Sequence, residues 1–195
     1  MIINYKLLEG NSSLNYYRTI DENLKLNCEE FNTLWNIHPE NVGQIKIFGK
    51  LINTPRYFQN FGKNYNFSNV DHPSLEIPDI LKPFLDWVNN KEELNYNGIL
   101  VNWYVDGSNY IGFHSDDEKE LLKNSNIYCF SFGHTRDFIV KSKKTSEKKK
   151  LSLFNNSLVI MKGECQKYYK HSIPKVTSKK INIGRRISIT IRAFK

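Results

Sequence analysis

The sequence lacks long apolar runs and has few cysteines, and both absences limit what the protein can be. No hydrophobic stretch approaches the roughly 20 residues that a membrane-spanning helix needs. The first residues also lack the charged, apolar and small-residue regions of a secretion signal, so we expect an intracellular protein, cytoplasmic or nuclear and not secreted. Cys28, Cys129 and Cys165 lie far apart without a CxxC pair, which gives no support for a disulfide framework or a zinc knuckle.

The sequence also has fewer acidic than basic residues. The chain carries 28 lysines and arginines against 20 acidic residues, for a formal net charge of +8. A surface of this kind favours DNA or RNA, because neutralising phosphates releases their counterions. The alternative is a solubility surface in a lysine-rich proteome, since asparagine, lysine and isoleucine are all plentiful here. The length of 195 residues fits one domain over 1–195, and we expect a monomer without membrane contact.

Helical patterns come first along the chain and strand patterns later. Apolar residues at helical spacing predict helices over 21–35 and 77–88, with Pro83 bending the second helix or moving its start. Short apolar segments separated by turn residues predict strands at 1–9, 45–50, 99–104, 127–132, 137–141, 151–154, 158–161, 168–171 and 186–194. A loop is expected from Thr54. This order predicts an α+β fold with a jelly-roll core.

A His-x-Asp motif is the first chemical signal. His114 and Asp116 are two residues apart, so extended backbone places both side chains on one face. A further imidazole, His171, ends the strand predicted at 168–171. Two histidines and one carboxylate on one side of a metal form the facial triad of non-haem Fe(II) oxygenases. Taken alone, His-x-Asp is more often a chance pair in a surface loop, and His171 a structural histidine.

The C-terminal strand is the second signal, because it alternates strictly from Arg186 to Arg192. Its isoleucines face one side, and the two arginines face the other with Ser188 and Thr190. Inward-facing arginines are costly unless anions meet them, and a small dicarboxylate would do so. The arginines are about 20 Å apart on a straight strand, so they converge only in a curved sheet. The alternative is an edge strand with solvated arginines.

Asn102 and Tyr104 add a third polar face, because they are two residues apart in another predicted strand. Both side chains can hydrogen-bond a carboxylate or a keto acid. The alternative is a strand whose polar face is simply exposed to water.

Together these segments resemble the AlkB family of Fe(II)- and 2-oxoglutarate-dependent dioxygenases, especially its vertebrate DNA-repair branch. The resemblance runs from about residue 45 to the C-terminus and rests on the common order and spacing of several segments. The matching segments are Ile47-Phe48-Gly49-Lys50, Thr54-Pro55-Arg56, Tyr65-Asn66-Phe67-Ser68, 102–107, 111–118, Ser131-Phe132-Gly133, Arg136-Asp137-Phe138, His171-Ser172-Ile173-Pro174 and 186–192. It implies a double-stranded β-helix core over 96–195. Residues 1–95 would supply helices packed on one sheet and a nucleotide-recognition region.

The resemblance also implies the site residues. The iron ligands and catalytic residues would be His114, Asp116 and His171. The 2-oxoglutarate contacts would be Asn102, Tyr104, Arg186, Ser188, Thr190 and Arg192. The family usually has asparagine where this chain has Ser188, which is shorter and lacks the amide donors. With O2 as co-reactant, the implied reaction is oxidative demethylation of N-alkylated bases such as 1-methyladenine and 3-methylcytosine in DNA, and possibly RNA.

Several residues match the family's substrate-binding segments. Tyr65 and Phe67 would stack on a base taken out of the helix, unless they are ordinary core residues. Asp117 and Glu118 would contact the base edge. The remaining matches are Arg56 and Arg136, which would orient these acids or bind phosphate, and Phe48, which would intercalate or be a buried strand residue.

Two basic stretches complete the sequence picture. Six lysines between 141 and 150 predict a mobile hairpin loop that contacts phosphates or is simply solvated. Lys175, Lys179, Lys180 and Arg185 form the second stretch. Two rival functions stay open, namely the same oxygenase chemistry on RNA or a protein side chain, and a nucleic-acid-binding module without catalysis.

Overall fold

A computed structural model describes residues 2–47, 49–67, 70–177 and 182–195, with the side chains of 47, 65–67 and 70–72 excepted. Phe48, Lys179 and Lys180 therefore lie outside the described residues, and so do the side chains of Tyr65 and Phe67. Their predicted roles stay predictions. No helix in the described ranges is both long and apolar enough to cross a membrane.

The described residues form mainly strands. The helices are α1 (Cys28–Asn36), α2 (Lys82–Asn89) and α3 (Cys165–Tyr168), with 3-10 turns at Glu22–Leu24 and Asp79–Leu81. The strands are β1 (Ile2–Lys6), β2 (Ser12–Tyr17), β3 (Gln44–Ile47), β4 (Lys50–Asn53), β5 (Tyr57–Gly62), β6 (Tyr65–Phe67), β7 (Val70–His72), β8 (Ser74–Leu75), β9 (Gly98–Tyr104), β10 (Ile111–His114), β11 (Ile127–Gly133), β12 (Arg136–Ser142), β13 (Lys148–Leu153), β14 (Ser157–Gly163), β15 (Tyr169–Ile173) and β16 (Arg186–Arg192).

Two sheets face each other across the core. The large sheet has the order β1-β2-β14-β11-β16-β9-β5-β8, and the small sheet has the order β10-β15-β12-β13. Apolar side chains from both sheets, such as Cys129 and Phe138, share one buried cluster between them. Strands β3–β4 and β6–β7 form separate two-stranded hairpins. This mostly antiparallel arrangement is the double-stranded β-helix that was predicted.

The helices cover the outer face of the large sheet. Leu34 of α1 and Phe84 of α2 belong to a second buried cluster with Trp103, Phe130 and the isoleucines of β16. The indole Nε1 of Trp103 donates a hydrogen bond to the carbonyl of Leu34 at 2.9 Å, which ties α1 to β9. With helices on one face and the small sheet on the other, every residue of β16 is buried. The isoleucines of β16 pack in the cluster with the helices, whereas Arg186, Ser188 and Thr190 line a cavity on the other face, so the predicted alternation of this strand is confirmed.

Local chemistry explains where the helices begin. Helix α1 begins after Asn27, whose side-chain oxygen accepts hydrogen bonds from the backbone N–H groups of Glu29 and Glu30. In return, the Glu30 carboxylate accepts a hydrogen bond from the backbone N–H of Asn27. The helix predicted from residue 21 is thus shortened by this capping box. Pro83 lies in the first turn of α2, where its missing N–H leaves no intrahelical hydrogen bond unmade. Pro83 moves the helix start, as predicted.

The first 95 residues differ from the expected helical layer. Strands β1, β2 and β5 come from this part of the chain and join the large sheet. Strands β2 and β5 were not predicted, and β5 replaces the loop expected after Thr54. Their side chains pack against neighbouring strands that are distant in sequence, so local pattern alone did not mark them.

The lysine-rich stretch is also more ordered than predicted. Four of its six lysines lie in the paired strands β12 and β13, where Lys141 stands opposite Lys148, and residues 143–147 form the turn. The Ser142 hydroxyl accepts from the backbone of Lys144 and Thr145, and the Glu147 carbonyl accepts from Ser142 N–H. These bonds close a regular hairpin.

Candidate active site

Three side chains converge at one end of the small sheet. Strands β10 and β15 pair antiparallel so that His114 stands opposite His171, and Asp116 follows just beyond β10. The Nε2 atoms of His114 and His171 lie 3.8 and 3.7 Å from the two carboxylate oxygens of Asp116. One nitrogen or oxygen of each residue lies within 4.8 Å of the others, so the three could hold a single metal ion.

Neighbouring groups orient these side chains. The Nδ1 of His114 lies 2.9 Å from the Gly112 carbonyl, an arrangement that places the proton on Nδ1 and leaves Nε2 free to bind a metal. The backbone N–H of Asp116 donates to the side-chain oxygen of Gln166 at 2.9 Å. The His171 ring lies between His114, at 4.2 Å, and Phe138, at 5.5 Å between centroids.

The protonation states suit metal binding. Burial lowers the pKa of His114, and it lowers the pKa of His171 to about 3 with help from the His114 charge. Burial alone would raise the pKa of Asp116, but Arg192, His171 and His114 outweigh it, so this pKa is lowered. Two neutral imidazoles and one carboxylate are therefore available at neutral pH, which is the donor set that non-haem iron uses.

A cavity between the two sheets opens behind these ligands. Its polar lining comes mostly from β9 and β16 and consists of Asn102, Tyr104, Arg186, Ser188 and Thr190, together with the metal-site residues. The sequence analysis assigned these five β9 and β16 residues and Arg192 to 2-oxoglutarate. The fold brings the five together in this cavity, and Arg192 is not among the residues that line it. Cys129 of β11 also lines the cavity and was not predicted, because a lone buried cysteine gives no sequence signal of its own.

Arg186 identifies the ligand chemistry that this cavity suits. Its guanidinium is fully buried, its Nε donates to the Ser131 hydroxyl at 3.0 Å, and it lies 4.9 Å from the Tyr104 ring centroid. Both of its terminal nitrogens lack a hydrogen-bond partner among the described residues. A buried cation with two open donors is costly, and a carboxylate would satisfy both donors at once. The residues present therefore fit an iron ion with a dicarboxylate cosubstrate.

Arg192 has different partners at the other end of β16. Its Nη1 lies 3.0 Å from Glu118 Oε1 and 3.6 Å from Asp116 Oδ1. The side chain of Glu118 is only 8% exposed, and burial raises its pKa against the influence of Arg192. Glu118, which was predicted to contact the base edge, thus pairs with Arg192, which was predicted to contact 2-oxoglutarate.

Polar contacts on the cavity floor show how Ser188 is accommodated. Its hydroxyl lies 3.3 Å from the Cys129 sulfur, and the Thr190 hydroxyl lies 3.7 Å from the same sulfur.

The side-chain oxygen of Asn102 accepts a hydrogen bond from Arg56 Nε at 2.6 Å. This bond leaves the Asn102 amide N–H groups available to a ligand.

A wider cleft lies on the outer side of His114. The residues along it are Ile45, Ile52, Asn53, Pro55, Arg56, Tyr110, Ile111, Gly112, Phe113, His114, Ser115, Asp117, Glu118, Lys143 and Lys170. Asp117 is exposed in this cleft, 3.8 Å from the Lys143 ammonium. The structure thus brings Arg56, Asp117 and Glu118 together in front of the metal ligands.

Arg136 has other contacts than those expected. Its guanidinium donates to the backbone carbonyls of Asp106, Asn109 and Pro174 at 2.7 to 3.2 Å. The side chain is buried because β12 directs it into the interior. Arg136 therefore holds two loops beside the cavity, which corrects its predicted contact with the base acids or with phosphate. In the second basic stretch, Arg185 packs on aromatic rings of α1.

A double-stranded β-helix with a His-Asp-His cluster beside an arginine-lined cavity defines a non-haem iron oxygenase. Residues 29–192 match the 2OG-Fe(II) oxygenase superfamily, and the chain belongs to that family. Its members use Fe(II), 2-oxoglutarate and O2.

Named relatives place the chain among AlkB homologues. It is 32% identical to human DNA oxidative demethylase ALKBH2 over 77% of its own length and 61% of the relative. The mouse protein of the same name gives 32% over 77% and 66%. The aligned region thus spans about three fifths to two thirds of these relatives. The solved structure of OsALKBH1 has a TM-score of 0.59 at 16% identity, covers 92% of this chain and 97% of that one, and shows the same fold.

Proposed function

We propose that this protein is an AlkB-type oxidative demethylase that acts on N-alkylated bases in DNA. The observation that carries the proposal is a single cavity with the metal ligands His114, Asp116 and His171 at one end and the open guanidinium of Arg186 at the other. This arrangement suits a dicarboxylate that binds the metal with one end and an arginine with the other. The relatives named DNA oxidative demethylase support DNA as the substrate.

Each residue has a definite task in this proposal. His114, Asp116 and His171 hold Fe(II), and Arg186 binds the far carboxylate of 2-oxoglutarate. Iron with 2-oxoglutarate and O2 supplies the oxidising power that hydroxylates an N-alkyl carbon, after which the alkyl group leaves as an aldehyde. Asn102, oriented by Arg56, donates to the cosubstrate.

The outer cleft receives the base. An alkylated base of the 1-methyladenine or 3-methylcytosine type carries positive charge, which the exposed Asp117 carboxylate would favour. The base must leave the stack to reach a metal held by largely buried ligands. The net charge of +8 would strengthen binding to a polyanion. Such a substrate requires the protein to act in a compartment that contains DNA.

The test supplies the purified protein with Fe(II), 2-oxoglutarate, O2 and DNA oligonucleotides that contain 1-methyladenine or 3-methylcytosine. We expect stoichiometric succinate and unmethylated base, both measured by mass spectrometry. Succinate formation without loss of methyl groups would leave an oxygenase with another substrate. Parallel reactions with methylated RNA and with peptides distinguish the rival substrates. An absence of both succinate and metal binding would overturn the enzyme proposal and favour a binding module.

A further inference from the structure

The cleft in front of His114 carries two exposed aromatic rings. Among the described residues, the strongly exposed large hydrophobic side chains are aliphatic except for Tyr110 (38% exposed) and Phe113 (45% exposed). Both line the same cleft. Exposed apolar area that concentrates in one place commonly marks a binding surface. We refer to Tyr110 and Phe113 as the aromatic ledge.

Cationic side chains line the cleft beside the aromatic ledge. Arg56, Lys143 and Lys170 all belong to its lining. Lys143 also donates to the Gln166 carbonyl at 2.8 Å, a contact that fixes its ammonium at the rim. Exposed aromatic rings beside lysine ammonium groups suit single-stranded nucleic acid, whose bases stack on the rings while its phosphates meet the ammonium groups.

The position of Phe113 identifies which base it would contact. Phe113 precedes His114 directly in β10, and both residues line the outer cleft. His114 also lines the cavity of the metal ligands, whereas Phe113 is not among the residues that line that cavity. A base stacked on it lies beside the reacting base instead of at the iron.

We propose that the aromatic ledge of Tyr110 and Phe113 stacks a nucleobase adjacent to the alkylated base in single-stranded DNA. This inference rests on the proposed function, because it takes the reacting base to occupy the cleft near His114. The aromatic ledge stacks on the DNA base next to the alkylated base, and it contacts the flat face that every base has. It therefore contributes affinity for the DNA without sequence preference.

The experiment measures the dissociation constant of a fluorescein-labelled, single-stranded DNA with one 3-methylcytosine by fluorescence anisotropy. Phe113→Ala should weaken binding about tenfold, the effect of losing one base–aromatic stack. Phe113→Trp should retain the affinity. The matched control is Leu94→Ala, because Leu94 is similarly exposed (42%) and is not among the residues lining the cleft. Leu94→Ala should change binding less than twofold, and thermal melting by circular dichroism verifies the fold of each variant.

A second arm identifies the stacked base. An abasic nucleotide replaces each neighbour of 3-methylcytosine in turn, and wild type should lose affinity at one of these positions. In Phe113→Ala the same replacement should have no further effect, because the two changes remove one contact. Equal losses in wild type and variant would overturn the inference, as would unchanged binding of Phe113→Ala. An equally Phe113-dependent but tighter binding of the matching RNA would overturn the commitment to DNA.

Turnover of methylated DNA by the wild type decides the proposed function separately. If the protein demethylates DNA but its binding does not depend on Phe113, the stacking role of the aromatic ledge is contradicted and the demethylase proposal stands. If binding depends on Phe113 but no turnover occurs, the demethylase proposal is contradicted and a DNA-binding cleft is supported.

Discussion

The two ends of strand β16 place identical arginine side chains in opposite electrostatic surroundings. Arg192 is buried against two carboxylates, those of Asp116 and Glu118. Arg186 is equally buried but meets a serine hydroxyl and a tyrosine ring, with two N–H groups left open. The contrast shows that the protein's own carboxylates pair with Arg192, while the terminal nitrogens of Arg186 lack partners, and we propose that a ligand carboxylate meets them. The following predictions test this division.

The largest effect on activity is expected at Asp116, whose carboxylate lies near both Arg192 and the two histidines. Asp116→Ala removes one proposed ligand and should abolish demethylation. It should weaken metal binding by more than the roughly 100-fold that losing an outer contact can cause. Titration with Fe(II) under anaerobic conditions measures the affinity. Asp117→Ala is the control, since Asp117 is exposed and should leave metal binding unchanged. Normal metal affinity in Asp116→Ala would contradict the ligand assignment.

Removing Arg192 should destabilise the protein strongly. Arg192→Met leaves Asp116 and Glu118 buried without their nearest cation. The expected loss is about 3–5 kcal/mol in the free energy of unfolding, measured by urea denaturation. Arg185→Met, at the exposed position directly before β16, should change stability by about 1 kcal/mol or less. A loss for Arg192→Met as small as that control would show that the carboxylates do not depend on Arg192.

Removing Arg186 should have the opposite effect on stability. Without cosubstrate, Arg186→Met relieves a buried cation, so stability should rise by about 1 kcal/mol, or roughly 2–4 °C in Tm. Affinity for the 2-oxoglutarate analogue N-oxalylglycine should fall at least about 30-fold, because a buried charge pair is no longer formed. Calorimetry provides both readouts. Lower stability together with unchanged affinity would assign Arg186 a structural role like that of Arg192.

The smallest effect is expected where the base cleft meets the cosubstrate cavity. Arg56→Lys removes the Nε donor that holds the Asn102 side chain. Affinity for N-oxalylglycine should fall about 3- to 10-fold, as one hydrogen bond to a charged group is lost. If Arg56 acts through Asn102, the double variant Arg56→Lys/Asn102→Ala should bind N-oxalylglycine as Asn102→Ala alone does. Additive losses would show that Arg56 acts on the ligand without Asn102.

Parts of the site could be predicted because local spacing encodes them. The period-2 pattern of β16 places Arg186 and Ser188 on one face in any sheet. The two-residue spacing of His114 and Asp116 predicted side chains on one face, and the structure brings them together although Asp116 lies just beyond β10. The residue types already suggested His171, which is distant in sequence, as the third ligand, and the resemblance to AlkB enzymes supported this assignment. The partners of each arginine could not be predicted, because Glu118 and Ser131 reach β16 only through chain segments more than 50 residues away.

The sequence by itself determined the alternation of β16, the limit that Pro83 sets on the start of α2, and the chemistry of the side chains that we propose as metal ligands. These features depend on backbone geometry and on side-chain chemistry, which act over a few residues. Only the tertiary structure decided that Arg192 is neutralised and Arg186 is open, that Arg136 holds loops, and that Phe113 is exposed beside the metal site. Burial and charge pairing depend on which distant strands become neighbours, and that depends on the packing of the whole chain.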